Sequence, residues 1–241
     1  MKFSKLLLLL LYLPAWAGAQ SHPLTSSFQS WAGYYPQVRF SKHWGVWVDM
    51  ELHSGDAYAG VSQSVFRLAG TWYNNRNNKF TAGYGHTQYY QGTGKVAVPE
   101  DFSWQQYQWY TRPGRSKIMQ WLRLEQKWKR NTIADKELAP GSQFSWKLRY
   151  EIFATLPLSK RGLVPGSLAI ALGNEIYLYD APGQPNHFFD QNRVFTGFSL
   201  AVNSHDNLVF GCTHILQENS AANQFKYLNV LRLSFFENIR L

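Results

Sequence analysis

The sequence predicts an all-β fold, an antiparallel barrel of the transmembrane type with about twelve strands, ten being the next count. Three observations predict it. Apolar and polar residues alternate with period two in one segment after another, the signature of strands with two unlike faces. The chain is 17% aromatic, and nine of its ten tryptophans follow the first nineteen residues. Trp31, Trp44, Trp72, Trp104, Trp121 and Trp128 fall near segment ends, the pattern of interfacial aromatic girdles. Finally, charges of both signs sit inside the alternating pattern rather than only in turns.

The first nineteen residues read separately. Lys2 and Lys5 precede an apolar run from Leu6 to Leu13, and Ala17-Gly18-Ala19 is an A-x-A cleavage signal. The run is too short for a membrane anchor and Pro14 ends it. Residues 1–19 are therefore expected to be a signal peptide, and 20–241 a single domain that begins at Gln20. No linker or composition shift divides that domain. The chain carries 24 Lys and Arg against 15 Asp and Glu. Without Lys2 and Lys5 the balance is 22 to 15, a net charge of +7. Export makes nucleic acid an unsuitable partner, so anionic lipid and lipopolysaccharide are the expected ones. Cys212 is the single cysteine, so no intramolecular disulfide can form. No later stretch approaches the ~20 apolar residues of a spanning helix. If this chain enters lipid, it does so as a closed barrel.

The elements follow in order. A strand near 26–39 precedes WGVWVDMEL, where Trp44, Val46, Val48, Met50 and Leu52 alternate with Gly45, Trp47, Asp49 and Glu51, giving a strand over 44–53. Ser54-Gly55-Asp56 turns the chain into 61–73, and Asn74 to Asn78 into 78–90. Gly83 and Gly85 lie inside that strand, suiting bends or crowded inward positions. Gln91 to Gly94 leads to 101–111, and Pro113-Gly114 to 117–130. In WLRLEQKWKR (121–130) a helical stripe through Trp121, Leu124 and Trp128 competes with alternation; the neighbouring patterns decide for strand. Pro140-Gly141-Ser142 is expected to turn into 142–154, where Phe144, Trp146, Leu148, Tyr150 and Ile152 share one face. Pro165-Gly166 precedes 167–179 and Pro182-Gly183 precedes 190–203. His205-Asp206 marks a turn into 207–217, and the last strand spans 225–236. Gly197 and Gly211 again lie within strands.

Alternation alone does not say which face is inside. In a membrane barrel the apolar face meets lipid and the polar face fills the lumen. On that reading Asp49, Glu51, Arg67, Arg123, Glu125, Lys127, Lys147, Arg149, Glu151, Glu175 and Arg193 point inward. Acids and bases are nearly balanced among them, and a network of ion pairs is the arrangement that keeps buried charges from standing alone. Arg123, Glu125 and Lys127 precede Lys147, Arg149 and Glu151 by one hairpin, so opposite signs are expected to pair across the two strands.

The chain also resembles an uncharacterised family of short outer-membrane barrels common in Bacteroidota, catalogued only as a domain of unknown function. The stretches that carry the resemblance are FQSWAGYYPQVRFSKHWGVWVDMELH (28–53), FTAGYGHTQ (80–88), WLRLEQKWK (121–129), WKLRYEIF (146–153), GNEIYL (173–178) and FDQNRVFTGFSL (189–200). Their order and spacing are more specific than any one of them. The resemblance implies the fold and an outer-membrane location reached through the barrel-assembly machinery; it implies no activity and no catalytic residue. Two departures stand out: His53 occupies a position where the family carries Arg, and LSFFENIRL ends on Leu241, with Phe235 and Phe236 set back from the expected terminal aromatic.

Chemistry is thin. His86 lies in GYGHTQ, His205 in a turn, and His214 on the apolar face of Leu208, Phe210, Cys212 and Leu216. There is no Gly-x-Ser-x-Gly elbow, no phosphate loop and no metal spacing. Cys212 reads as a small apolar residue. The expected protein has no catalytic residues, metal or cofactor. It is an outer-membrane barrel with a narrow charged lumen and a structural, binding or small-solute role, both termini on the periplasmic side. The alternatives are a barrel enzyme acting on lipid or lipopolysaccharide, and a secreted soluble β-sandwich or calycin-like binder.

Overall fold

The computed structural model describes residues 24–55, 60–92, 95–181, 188–219 and 224–241. The expected signal peptide, Asp56, Thr93-Gly94 and Pro182-Gly183 lie outside the described residues. The strands are β1 (Leu24–Arg39), β2 (Trp44–Ser54), β3 (Val61–Tyr73), β4 (Asn78–Tyr89), β5 (Val98–Thr111) and β6 (Lys117–Ile133). They continue with β7 (Glu137–Pro157), β8 (Leu168–Asp180), β9 (Phe189–Ala201), β10 (Asn207–Asn219) and β11 (Gln224–Arg240). The described residues contain no helix. Each strand pairs with its sequence neighbours, and β1 closes the barrel on β11.

The all-β barrel is as expected; its strand count is eleven, between the two counts given above. The expectation of an even number assumed that every pair is antiparallel. Ten of the pairs are, but β1 and β11 run parallel, in register from Leu24↔Phe225 to Arg39↔Arg240. A parallel seam makes an odd count possible. It also corrects the placement of the chain ends: Leu24 and Arg240 lie at opposite ends of the barrel, not together.

Two boundaries differ from expectation. Pro140-Gly141-Ser142 is not a turn, because β7 runs straight through it. The turn is at Ala134 and Asp135, both at positive φ, with the Lys136 amide donating to the Ile133 carbonyl at 3.0 Å. The register slips between Arg130 and Thr132, so Pro140-Gly141 lies at a β-bulge, and Gly141 takes the positive φ of 84° found there. At the other end of the chain, β11 does not stop near Phe236 but continues to Arg240.

The two faces separate cleanly. On β6, Leu122, Leu124 and Trp128 are 45%, 36% and 42% exposed, while Arg123, Glu125 and Lys127 are 5%, 2% and 8%. The apolar face is therefore outside and the charges are inside. Outward aromatics from four consecutive strands stand in register, Trp44↔Trp72, Trp72↔Phe80 and Phe80↔Tyr107. A second outer aromatic group joins Trp128, Phe144 and Trp146, at centroid distances of 5.4 and 5.3 Å. Three tryptophans expected in the girdles are not there. Trp104 and Trp121 are buried inward, and Trp31 stacks on His53 at 4.0 Å. Period two explains this, since residues on odd and even positions of one strand cannot share a face.

The interior is filled by three apolar clusters between the charges. Trp47, Val65, Ala69, Phe102 and Trp104 form one, with Trp47 and Trp104 edge to face. Ala171, Phe195 and Val209 form another, and Ile215, Leu228 and Val230 the third. Inward glycines make room for the large rings. A Cβ on Gly85 would lie 2.1 Å from the Phe102 ring, and Phe195 lies over both Gly197 and Gly211.

Candidate functional site

Alternation along β2 puts Asp49, Glu51 and His53 on one inward row, and β3 sets Arg67 directly opposite Asp49. Arg67 Nη1 donates to Asp49 Oδ2 at 2.6 Å and to Glu51 Oε1 at 2.8 Å. Glu51 Oε2 lies 3.1 Å from His53 Nε2. One guanidinium thus holds two carboxylates that would otherwise repel each other on the same strand. Its fork and fixed charge suit it to that task better than a lysine.

A second group occupies β5 to β9. Arg149 Nη1 reaches Glu125 at 2.8 Å, and its Nη2 reaches Glu175 at 2.6 Å. Tyr177 donates to the other oxygen of Glu175 at 2.9 Å. Arg123 lies 3.7 Å from Glu125 and donates through Nε to Gln106 at 2.8 Å. Gln106 continues the chain to Gln108 at 3.0 Å. Lys127 pairs with Glu100 at 2.6 Å, and Lys147 with Asp190 at 2.8 Å.

The expected residues lie on one inward face, and opposite signs meet across β6 and β7, though the bonded pair is a diagonal one. Arg123 stands opposite Arg149, Glu125 opposite Lys147, and Trp121 opposite Glu151. The strong contact is diagonal, Arg149 to Glu125, while Lys147 turns to Asp190. Diagonal neighbours on a sheet are within reach of an arginine side chain. Glu151 stands beside another carboxylate, Glu175, with no cation within 4 Å of it among the described residues. Arg193 makes no ion pair there either; it donates to Gln191 at 2.9 Å and lies over the Tyr177 ring at 4.3 Å.

Sequence reasoning missed Glu100, Asp190, Lys79, Lys117, Lys129, Lys226 and Arg232. Glu100 fell just ahead of the expected strand start, and Asp190 sits at the irregularity where the β8–β9 register shifts, out of step with Gln191 and Arg193. The others carry the same parity as their inward neighbours, a signal that extending the alternation through every strand would have used. Ten lysines and arginines and six carboxylates line a central cavity of about 670 Å³, to which all eleven strands contribute. Among the described residues no cluster of three or more His, Cys, Asp or Glu has the arrangement of a metal site.

His86 and His214 face away from the lumen. His86 Nδ1 lies 2.8 Å from Asp101 Oδ1 on the outer wall, and Tyr84 donates to the same carboxylate. His214 Nδ1 lies 2.8 Å from Asn229 Oδ1. Two outward serines flank His86 on the neighbouring strands: Ser103 gives its hydroxyl to Gln126 at 2.6 Å, and Ser64 lies 3.4 Å from the Tyr90 hydroxyl. No curated protein matches the chain. A family model described as "Protein of unknown function (DUF2490)" matches residues 28–226, from within β1 to the start of β11, and the chain belongs to that family.

Proposed function

We propose that this protein is an outer-membrane β-barrel, exported by its leader, whose narrow charged lumen serves a small-solute or binding role rather than catalysis. One observation carries the reading. The barrel turns its large apolar side chains outward and its charges inward, the reverse of a soluble protein. Leu52, Phe66, Leu68, Trp72, Phe80, Leu122, Leu231 and Leu233 all stand exposed on the wall. A soluble monomer rarely exposes apolar patches beyond a few hundred Å². In lipid the same face is the stabilised one. Lipid and lipopolysaccharide are then the partners of the outer wall, and the barrel-assembly machinery that of the nascent chain.

The test is fractionation with a heat-shift gel. The full chain is expressed with its leader and the outer membrane is separated from soluble periplasm. Retention in the membrane, with faster migration before boiling than after, is the expected result. A soluble chain with no shift would leave the calycin-like binder as the better account.

The lipid-modifying alternative has one feature in its favour, the outward Tyr84–Asp101–His86 group. It lacks a serine placed against the imidazole. Loss of a lipid hydrolase activity in His86→Ala would revive it.

A further inference from the structure

The lumenal charges do not cancel. Five of the six lining carboxylates are met by cations: Asp49 and Glu51 by Arg67, Glu125 and Glu175 by Arg149, Asp190 by Lys147. Five cations that line the cavity, among the described residues, have no carboxylate within 4 Å: Lys117, Lys129, Arg193, Lys226 and Arg232. Four of them lie over an aromatic ring instead. Lys117 Nζ is 4.7 Å from the Tyr110 centroid, and Lys129 Nζ is 4.7 Å from that of Tyr89. Arg193 sits 4.3 Å over Tyr177 and 4.9 Å over Trp31. Arg232 lies 5.8 Å over Phe195.

The difference between a ring and a carboxylate matters. Both position a cation, but only the carboxylate neutralises it. A ring leaves the full positive charge available to something else. The five cations are also spread along the axis. Lys129 and Lys226 are at the mouth near the end of β6 and the start of β11, Arg193 and Arg232 lie in between, and Lys117 is at the far mouth near the start of β6. Lys129 and Lys117, near opposite ends of β6, both line the same cavity. Spread over the ~25 Å apolar band of a membrane barrel, its volume leaves a mean cross-section of roughly 25–30 Å². That is the scale of a small ion or solute.

We propose that the lumen is a selective path for small oxyanions and other small anions, passed along this series of ring-held cations while the arginine–carboxylate pairs keep the wall rigid. Rings of Lys and Arg are the usual lining of anion pores, and a cleft of one sign in low-dielectric walls raises the local concentration of counter-ions. The proposal rests on the membrane reading above.

The experiment uses the full refolded barrel in planar bilayers under a potassium chloride gradient, with the reversal potential as readout and inorganic phosphate as a second probe. Its membrane insertion is scored separately by the heat shift. A preference for chloride over potassium on the order of tenfold is expected. Phosphate is expected to reduce the chloride current by occupying the same cations. Lys117→Glu and Lys129→Glu, both at the mouths where folding is least at risk, should each lower the preference several-fold. An inserted, heat-shifting barrel that conducts nothing, shows no preference or prefers potassium overturns the proposal and leaves the membrane reading intact. A chain that stays soluble overturns both. If the variants fail to fold, the wild-type reversal potential alone decides.

Discussion

Glu125 shows how much a single lumenal residue can carry. It is 2% exposed and accepts from Arg149 at 2.8 Å, with Arg123 and Lys127 at 3.7 and 3.9 Å. Three cations around one carboxylate are tolerable only while the carboxylate is charged and present. Glu125→Ala should therefore cost about 3–5 kcal/mol, the range for leaving buried partners unpaired. Urea unfolding of the detergent-refolded barrel measures it. Glu151→Ala should cost much less, since Glu151 meets no cation within 4 Å among the described residues and stands beside Glu175. Equal losses in the two variants would contradict the network as drawn. Gly85 tests packing in the same assay. An added methyl meets the buried Phe102 ring at 2.1 Å, so Gly85→Ala should destabilise by about 1–3 kcal/mol. Phe102→Leu, which shortens the ring away, should restore part of that loss in the double variant.

At the scale of the strand, the question is which solvent each face meets. Leu124 lies mid-way along β6, opposite Leu148, with its side chain outward. Leu124→Arg should cost about 2–4 kcal/mol if that face lies in the middle of a bilayer. On a soluble barrel the same change should stay within about 0.5 kcal/mol. Unfolding titrations in lipid vesicles give the number. This scale also explains what the sequence could reveal. Period two fixed the inward set on β6 and β7, because a strand cannot hide its parity. Register was less accessible: the sequence said only that opposite signs should pair across β6 and β7, and the partners are set by the true turn at Ala134-Asp135 and the bulge at Pro140-Gly141, which put Arg149 opposite Arg123. A proline and a glycine look alike in a turn and in a bulge. Tryptophan was misplaced for a related reason. Trp104 and Trp121 were assigned by nearness to strand ends, whereas parity puts them in the lumen.

For the whole molecule, closure depends on the pair most distant in sequence. β1 must find β11 across the entire chain, and such non-local pairing is slow to form. Removing β11 by ending the chain at residue 223 leaves β1 and β10 as open edges, which in lipid or water invite pairing with other chains. That truncation should abolish the heat shift and give aggregates on the same gel; a monomeric, shifted band would mean that the seam is dispensable. The even count failed as an expectation at this scale because no local pattern in residues 24–39 records the direction of a partner two hundred residues away.

The parallel seam also bears on rearranging the chain. Where first and last strands are antiparallel neighbours, their ends meet and a short linker makes a circular permutant. Here residues 24 and 240 are separated by the height of the wall. Sixteen residues of β1 at ~3.3 Å each, tilted by about 40°, rise roughly 40 Å. A linker between those ends needs about a dozen residues. In a barrel whose outer face is apolar and whose lumen is only wide enough for a small solute, such a linker has no polar route along the wall. Joining the ends of this protein would mean opening its seam.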